Sequence, residues 1–485
     1  MEQLAYHDLR SFVEAAKKVS DWREIEGADW DGEIGALVES TAELVPQPPM
    51  LIFNRIKGYP AGYRVLSLPY AAYKRVALSF GLSTEMSKLE LVRAIARKIK
   101  SAKPIAPREV KSSPLMENVM EGDKVDLFKF PAVRFHEQDG GRYIGTGDCL
   151  INADIEGSFI NMGTYRMQLH EKNLLGLWMS PGQDGRLVCM KYWEQGKSCP
   201  VVVTFGMHPM VFAVAHTKIP WGQSELHHAG GLIGAPVDIL RGPLTGLPIP
   251  ASSEIAIEGE VPPPKVESRA EGPFGEWPGY YSGGTIGTGE PQPVIKVKAI
   301  YHRNDPMLED EAPLWPGAVK IDANPAAGIL WDQLESAGIQ DIVGVYNHTS
   351  YLCVVAIKQR YAGHAKQTGL AALACSAAAR NGRYVVVVDE DIDPSNIKEV
   401  MWAMMTRVDP ATNIDLIDGC WSTPLDPRMP PSKRDSKDHT NSRAVFYAVR
   451  PFEWREKFPR VSRTSRELRE AVVKKFSGIV PFPKG

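Results

Sequence analysis

The chain has 485 residues, 44% hydrophobic and 24% charged, and its 56 basic and 58 acidic side chains leave a formal net charge of -2. Such a length exceeds one compact core and implies two or three domains, while the composition excludes a disordered, collagen-like or coiled-coil chain. The balanced charge offers nothing to nucleic acid or to an anionic membrane surface.

The opening MEQLAYHDLRSFVEAA carries an acid early and has no continuous apolar core. It reads as an amphipathic helix and not as a signal peptide. Leu9, Phe12, Val13 and Val19, then Ile34, Leu37 and Val38, predict short helices. Strands are expected over 50–53 and 63–68, and helices over 71–81 and 88–99, which together make a small α/β unit. The stretch 103–113, with Pro104 and Pro107, is a connector.

Between about 125 and 301 the character changes. Short β-branched and aromatic runs recur at 143–144, 159–160, 174–179, 187–192, 201–205 and 294–300, separated by Gly, Pro, Asn and Asp. That pattern predicts a β-rich domain closed or folded over itself, with one helix inside it over 215–232. The most apolar stretch, 201–215, is interrupted by Gly206, His208 and Pro209 and is too short to span a bilayer.

From about 324 onward, helix 326–337, strand 351–357, helix 364–380, strand 384–388 and helix 396–407 alternate, which implies a layered βαβ-type domain. The tail after Trp421 is rich in Pro, Lys, Arg and Asp and ends in an amphipathic helix near 465–476. The fold class expected is mixed α/β, with domain limits at 1–112, 113–318 and 319–485. Cys149, Cys189, Cys199, Cys353, Cys375 and Cys420 are scattered without a CxxC pair. They read as free thiols in a reducing compartment, with cytoplasm as the expected location.

Four local features could carry chemistry. In EGPFGE the carboxylates Glu271 and Glu276 are separated by Gly, Pro and Gly, which force a turn and can aim both acids into one pocket. Carboxylates held that close cannot both ionise easily, the setting a proton donor requires. In NMGTYR, Asn161 and Arg166 can bind an anion and help ligate a hard cation. In SELHHAGG, Glu225 suits a hard ion such as Mn²⁺ or Mg²⁺, whereas the adjacent His227 and His228 do not share a face. In YAGHAK, Lys366 lies near a helix N-terminus and suits an anionic group, without the spacing of a nucleotide P-loop. Gly283, Gly284, Gly287 and Gly289 read as a mobile loop and not as a dinucleotide fingerprint, which a flavin or nicotinamide oxidoreductase would need. Taken singly, each feature has a plainer reading as a solvated turn, a structural ion pair or a packing histidine.

Their order along the chain is more specific. HEQDGGRY (136–143), NMGTYR (161–166), SELHHAGG (224–231), PASSEIAIEGE (250–260), EGPFGEWPGYYS (271–282), IKQRYAGHAK (357–366) and TRVDPATN (406–413) follow one another as in the UbiD family of decarboxylases, which the chain resembles. The resemblance implies an N-terminal α/β domain, a central split β-barrel that binds flavin, and a C-terminal α/β domain that contributes to oligomerisation. It also implies prenylated FMN tethered through a divalent ion, Mn²⁺ or Mg²⁺, with K⁺ close by.

Carried over by motif, Asn161 and Glu225 ligate the divalent ion. Thr164, Tyr165 and Arg166 line the flavin, and Lys366 meets its phosphate. Glu271, Arg166 and Glu276 form the catalytic network, with Glu276 as proton donor. Where many members place a histidine as the third metal ligand, LWMSPGQDGRL offers Gln183. The substrate expected is a hydroxybenzoate-type or related benzoic acid, with furan, pyrrole, indole or cinnamic-type acids as the alternative. A pocket lid is expected over 277–281 and 421–428, with Lys433, Arg434 and Lys437 as a solvated basic loop. A UbiX-type flavin prenyltransferase would supply the cofactor, and the assembly would be a homodimer or a higher homo-oligomer. A non-catalytic subunit of a carboxylase complex is the reading of a different class, and the retained pair Glu271 and Glu276 opposes it.

Overall fold

A computed structural model describes residues 4–282, 291–315 and 325–476, apart from 218, 220, 380, 381, 463 and 465, together with 321 and 479. The glycine-rich loop over 283–289 and the expected limit at 318 lie outside the described residues.

The first helix, Leu9–Val19, begins at a capping box in which Asp8 accepts from the Ser11 N–H and the Ser11 side chain returns to the Asp8 main chain. Ser87 and Glu90 build the same device at the start of helix Lys88–Ser101. A helix over Glu33–Leu44 and another over Tyr73–Ser79 complete this region's helices. Its sheet runs Trp22–Glu26, Met50–Asn54, Arg64–Ser67 and, from far along the chain, Met307–Asp310. That last strand pairs in parallel with Arg64–Ser67. Every one of its side chains is buried, although its Glu-Asp pair resembles a turn in sequence.

The central region is a curled ten-stranded sheet, antiparallel along its whole path. Both of its faces are buried. In strand Asp148–Ala153, Cys149 and Ile151 enter one apolar core while Leu150 enters another. Strands covered on both sides lose the polar alternation of a half-exposed sheet, so they read as plain apolar runs. Two expectations fail here. The run 187–192 is not a strand but the middle of helix Asp184–Glu194, which buries Gly185, Val188 and Cys189 and leaves Leu187 and Met190 exposed. The helix expected over 215–232 is two helices, Pro209–Ala215 and Glu225–Ile233, with Gly222 at positive φ between them. The connector 103–113 is stitched down as well, since Arg108–Glu109 pairs in parallel with Asp238–Ile239.

The C-terminal sheet runs Ile342–Thr349, Leu352–Ile357, Tyr384–Asp389, Thr440–Ala448, Ile414–Trp421. Helix His364–Ala374 packs on its middle strands, and helix Ile397–Arg407 packs against Thr440–Ala448. Helix Pro325–Ser336 packs on Lys88–Ser101 and so joins the two ends of the chain. Ile342–Thr349 and Thr440–Ala448 are strands that the sequence reading passed over. All six cysteines are free thiols. Among the described residues no helix is long and apolar enough to cross a membrane.

Candidate active site

Strand Arg166–Glu171 begins where the chain turns at Thr164 and Tyr165 out of strand Ile160–Gly163. Its first residue, Arg166, is buried between two aromatic faces. Its guanidinium carbon lies 4.6 Å from the Trp178 ring centroid and 4.6 Å from that of Phe274. The two nitrogens of the fork are shared between the two acids of the turn. Nη2 donates to Glu271 Oε2 at 2.8 Å, and Nη1 donates to Glu276 Oε1. Burial alone would ease the proton off this guanidinium, but Glu276 and Glu271 together hold its pKa above the ordinary arginine value.

The two acids are 3% and 4% exposed and carry different partners. Glu271 Oε1 accepts from the Tyr143 hydroxyl at 3.0 Å, and burial followed by that carboxylate pushes the phenol's pKa up. Glu276 Oε1 accepts both Arg166 and the Ser282 hydroxyl, the latter at 2.7 Å. Glu276 Oε2 is buried and meets no donor among the described residues. The two carboxylates therefore do not confront each other as their spacing suggested; a guanidinium stands between them.

The turn that carries them is held by the HEQDGGRY segment. Asp139 is buried and accepts from the Gly275 N–H at 2.9 Å and from the His136 N–H at 2.9 Å. The Gly140 N–H donates to the Pro273 carbonyl at 2.7 Å. A Cβ at Gly140 would sit 2.0 Å from the Gly272 carbonyl oxygen, so only glycine lets the two segments approach. The Gly272–Pro273 bond is cis.

A second polar group lies at the preceding strand of the chain, Ile160–Gly163. Asn161 and Glu225 are both buried, and the Met162 N–H donates to Glu225 Oε2 at 3.0 Å. Burial pushes the Glu225 carboxyl up to about 7, with the Asp184 carboxylate adding to the effect. Asp184 is the first residue of helix Asp184–Glu194 and Gln183 is its N-cap, half-buried and without a side-chain cap bond. The carboxylate that acts on Glu225 is thus the neighbour of the residue that sequence reasoning chose. The GQDG segment, an acid at a helix start, was the signal for it.

Tyr165 places its ring in the apolar core, where its hydroxyl accepts from the Gly185 N–H at 3.1 Å. A Cβ at Gly163 or Gly185 would come within 2.8 or 2.5 Å of that hydroxyl. Thr164 is half-buried beside it. No three His, Cys, Asp or Glu side chains converge among the described residues, so a divalent ion here needs the Asn161 amide oxygen beside the acids.

Other expected residues lie elsewhere. Lys366 pairs with Asp415 of the C-terminal sheet at 3.2 Å. His227 and His228 line a groove of about 800 Å³ with Ser158, Ser224 and Arg241. In the expected lid, Trp277, Tyr280, Tyr281 and Trp421 are exposed, while Ser422, Thr423 and Asp426 are buried. Asp426 accepts from Arg383 and Asn441 and so anchors that segment. Lys433 is tied to Thr440 at 2.8 Å, and Arg434 to the Asp426 carbonyl at 3.0 Å.

Tyr351, expected only as the start of a strand, lies under the Arg383 guanidinium at 5.4 Å. Its hydroxyl is pushed up to about 12 by burial first, then by Asp426, with Glu276 contributing.

Three family models match the chain: the 3-octaprenyl-4-hydroxybenzoate carboxy-lyase N-terminal domain over 13–99, its Rift-related domain over 108–314 and its C-terminal domain over 323–448. A phenolic acid decarboxylase of Bacillus subtilis is 32% identical over 443 residues, which cover 88% of this chain and 90% of that protein. A pyrrole-2-carboxylic acid decarboxylase of Pseudomonas aeruginosa is 32% identical over 431 residues, 83% of each. The solved vanillic acid decarboxylase of Sedimentibacter hydroxybenzoicus, in closed form, superposes with a TM-score of 0.79 at 30% identity, covering 97% of this chain and 99% of that one.

Proposed function

The chain belongs to the UbiD family of carboxy-lyases, and we propose that it reversibly removes CO₂ from a hydroxybenzoate-type or related benzoic acid, using prenylated FMN, with Glu276 as the proton donor. One observation carries this reading: Glu276 Oε1 is occupied by Arg166 and Ser282, while Oε2 is buried and has no donor among the described residues. A carboxyl so held has one oxygen free to carry a proton to a substrate carbon in a dry pocket.

Prenylated FMN, when bound, supplies the electron sink that loss of CO₂ from an arene demands. The protein's part is positional and electrostatic. Arg166, clamped between Trp178 and Phe274, keeps the two carboxylates apart and aims Glu276. Glu271 and the Tyr143 hydroxyl hold the other end of that guanidinium and complete a hydrogen-bonded line to the pocket wall. Trp277, Tyr280, Tyr281 and Trp421 offer flat faces to a planar acid and exclude water as the pocket closes.

Asn161, Glu225 and Asp184 would hold a divalent ion, Mn²⁺ or Mg²⁺: a buried carboxylate without a cationic partner, a neighbouring acid and an amide oxygen are the donors such an ion accepts. Gln183 remains beside them as the helix cap, and K⁺ would sit near the same group. Lys366 would have to exchange Asp415 for the cofactor phosphate. A UbiX-type prenyltransferase would supply the cofactor, and the chain would work as a homodimer or higher homo-oligomer.

The phenolic acid relative favours a hydroxybenzoate; the pyrrole relative supports a heteroaromatic acid as the second reading. Co-expression with a UbiX-type prenyltransferase, anaerobic purification and a screen of hydroxybenzoic, cinnamic and pyrrole or furan acids for CO₂ release decide between them. Fastest release is expected from a hydroxybenzoate. Glu276→Gln should abolish release while the flavin stays bound, and near-normal turnover by that variant would end the assignment of the donor.

A further inference from the structure

Asn152 lies in strand Asp148–Ala153, fully buried and outside every motif that carries the family resemblance. The register opposes it to Asn161 across the antiparallel pair. Its Oδ1 accepts from Asn161 Nδ2 at 3.0 Å, and its own Nδ2 donates to the Gly185 carbonyl at 3.0 Å. A main-chain carbonyl can only accept, so Gly185 decides which end of the Asn152 amide is nitrogen. That in turn makes the other end an acceptor, and the partner it takes must be the amino group of Asn161. With its amino group turned inward, Asn161 keeps its amide oxygen for a ligand.

The same residue reaches the helix start. Gly185 is held on both sides, its N–H by the Tyr165 hydroxyl and its carbonyl by Asn152. Asp184 immediately precedes it. We propose that Asn152 is a positioning residue for the metal centre, fixing the Asn161 amide with its oxygen outward and tying it to the turn that presents Asp184. This inference rests on the reading of Asn161, Glu225 and Asp184 as the ligand group. Groups that orient metal ligands are worth roughly 10–100-fold in affinity, because a ligand free to rotate presents its wrong end part of the time.

The test is a Mn²⁺ titration of the full chain in the presence of FMN, read by loss of the free-ion paramagnetic resonance signal, with the melting temperature of the metal-free protein measured alongside. Asn152→Leu keeps the branched outline of the side chain and removes its hydrogen bonds to Asn161 and Gly185; it should weaken Mn²⁺ binding about 10–100-fold. Should that variant not fold, Asn152→Ser, whose hydroxyl is too short to reach both partners, carries the same expectation. Val188→Ala, a cavity on the buried face of the same helix, should lower the melting temperature and leave Mn²⁺ affinity unchanged. If both Asn152 variants bind Mn²⁺ like the parent while Glu225→Gln does not, the positioning role is overturned and the ligand reading stands. If Glu225→Gln and Asn161→Ala also bind like the parent, the ligand reading itself is overturned.

Discussion

Around Arg166 two buried carboxylates, Glu271 and Glu276, share one guanidinium. Around Asn161, five residues earlier in the chain, the buried carboxylate of Glu225 has another acid, Asp184, for its electrostatic neighbour and main-chain N–H groups for donors. The first group carries its cation as a side chain, stacked between two rings and always charged. The second is acidic without a cation acting on Glu225 among the described residues, and its carboxyl answers by holding its proton up to about 7. A buried acid must be paired, be protonated or bind a metal. The two groups illustrate the first solution and the conditions for the other two.

The sharpest way to break that contrast is to remove the cation from the first group. Arg166→Met leaves Glu271 and Glu276 buried without a counter-charge, and removal of one partner from such a cluster costs about 3–5 kcal/mol. Urea denaturation of the flavin-free protein at neutral pH should show it. A loss under about 1 kcal/mol would mean that the acids do not depend on Arg166, since only exposed pairs contribute so little.

In the second group the sign reverses. An acid whose folded pKa is about 7 and whose unfolded value is near 4.5 holds its proton more tightly when folded. Its contribution to metal-free stability is present below about pH 4.5 and is lost as the pH rises toward 7, at most about 3 kcal/mol. Glu225→Gln should remove that slope and make the metal-free protein more stable than the parent at pH 8. Mn²⁺ should then stabilise the parent but not the variant. A variant less stable than the parent at pH 8 without metal would show that Glu225 is not an uncompensated acid.

The smallest effect concerns the rings that flank the guanidinium. Trp178→Leu removes one cation–π face from Arg166 and should cost roughly 0.5–2 kcal/mol beyond the change in packing. A double-mutant cycle with Arg166→Met isolates that coupling, and a coupling of zero would remove the stacked rings from the account of how Arg166 is held.

Much of this architecture was legible in the chain. The capping boxes at Asp8 and Ser87, the β-rich centre and the alternation after 324 follow from local pattern. Leu187–Tyr192 misled because its apolar residues lie on both faces of the helix. Val188 and Cys189 are buried while Leu187 and Met190 are exposed, so the helical period was hidden. Met307–Asp310 was invisible as a strand because its partner, Arg64–Ser67, lies some 240 residues earlier and its acids are buried by tertiary packing alone. In the site, EGPFGE and NMGTYR marked Glu271, Glu276 and Arg166, and HEQDGGRY and GQDG contained Tyr143 and Asp184 without singling them out, whereas Asn152 and Tyr351 carried no motif.

The sequence by itself determined which residue types are present, in which order, and hence the family and the acid–arginine–acid trio. Turn-forming glycines and prolines act locally, so their consequences can be read locally. Only the tertiary structure decided that Arg166 stands between carboxylates 105 and 110 residues away, and that Oε2 of Glu276 is the oxygen left without a donor among the described residues. It also decided that the Asp184 carboxylate acts on Glu225 and that Asn152 turns the Asn161 amide. Those outcomes depend on hydrogen-bond direction and burial between strands that meet only when the sheet curls, and residue order alone does not specify either one.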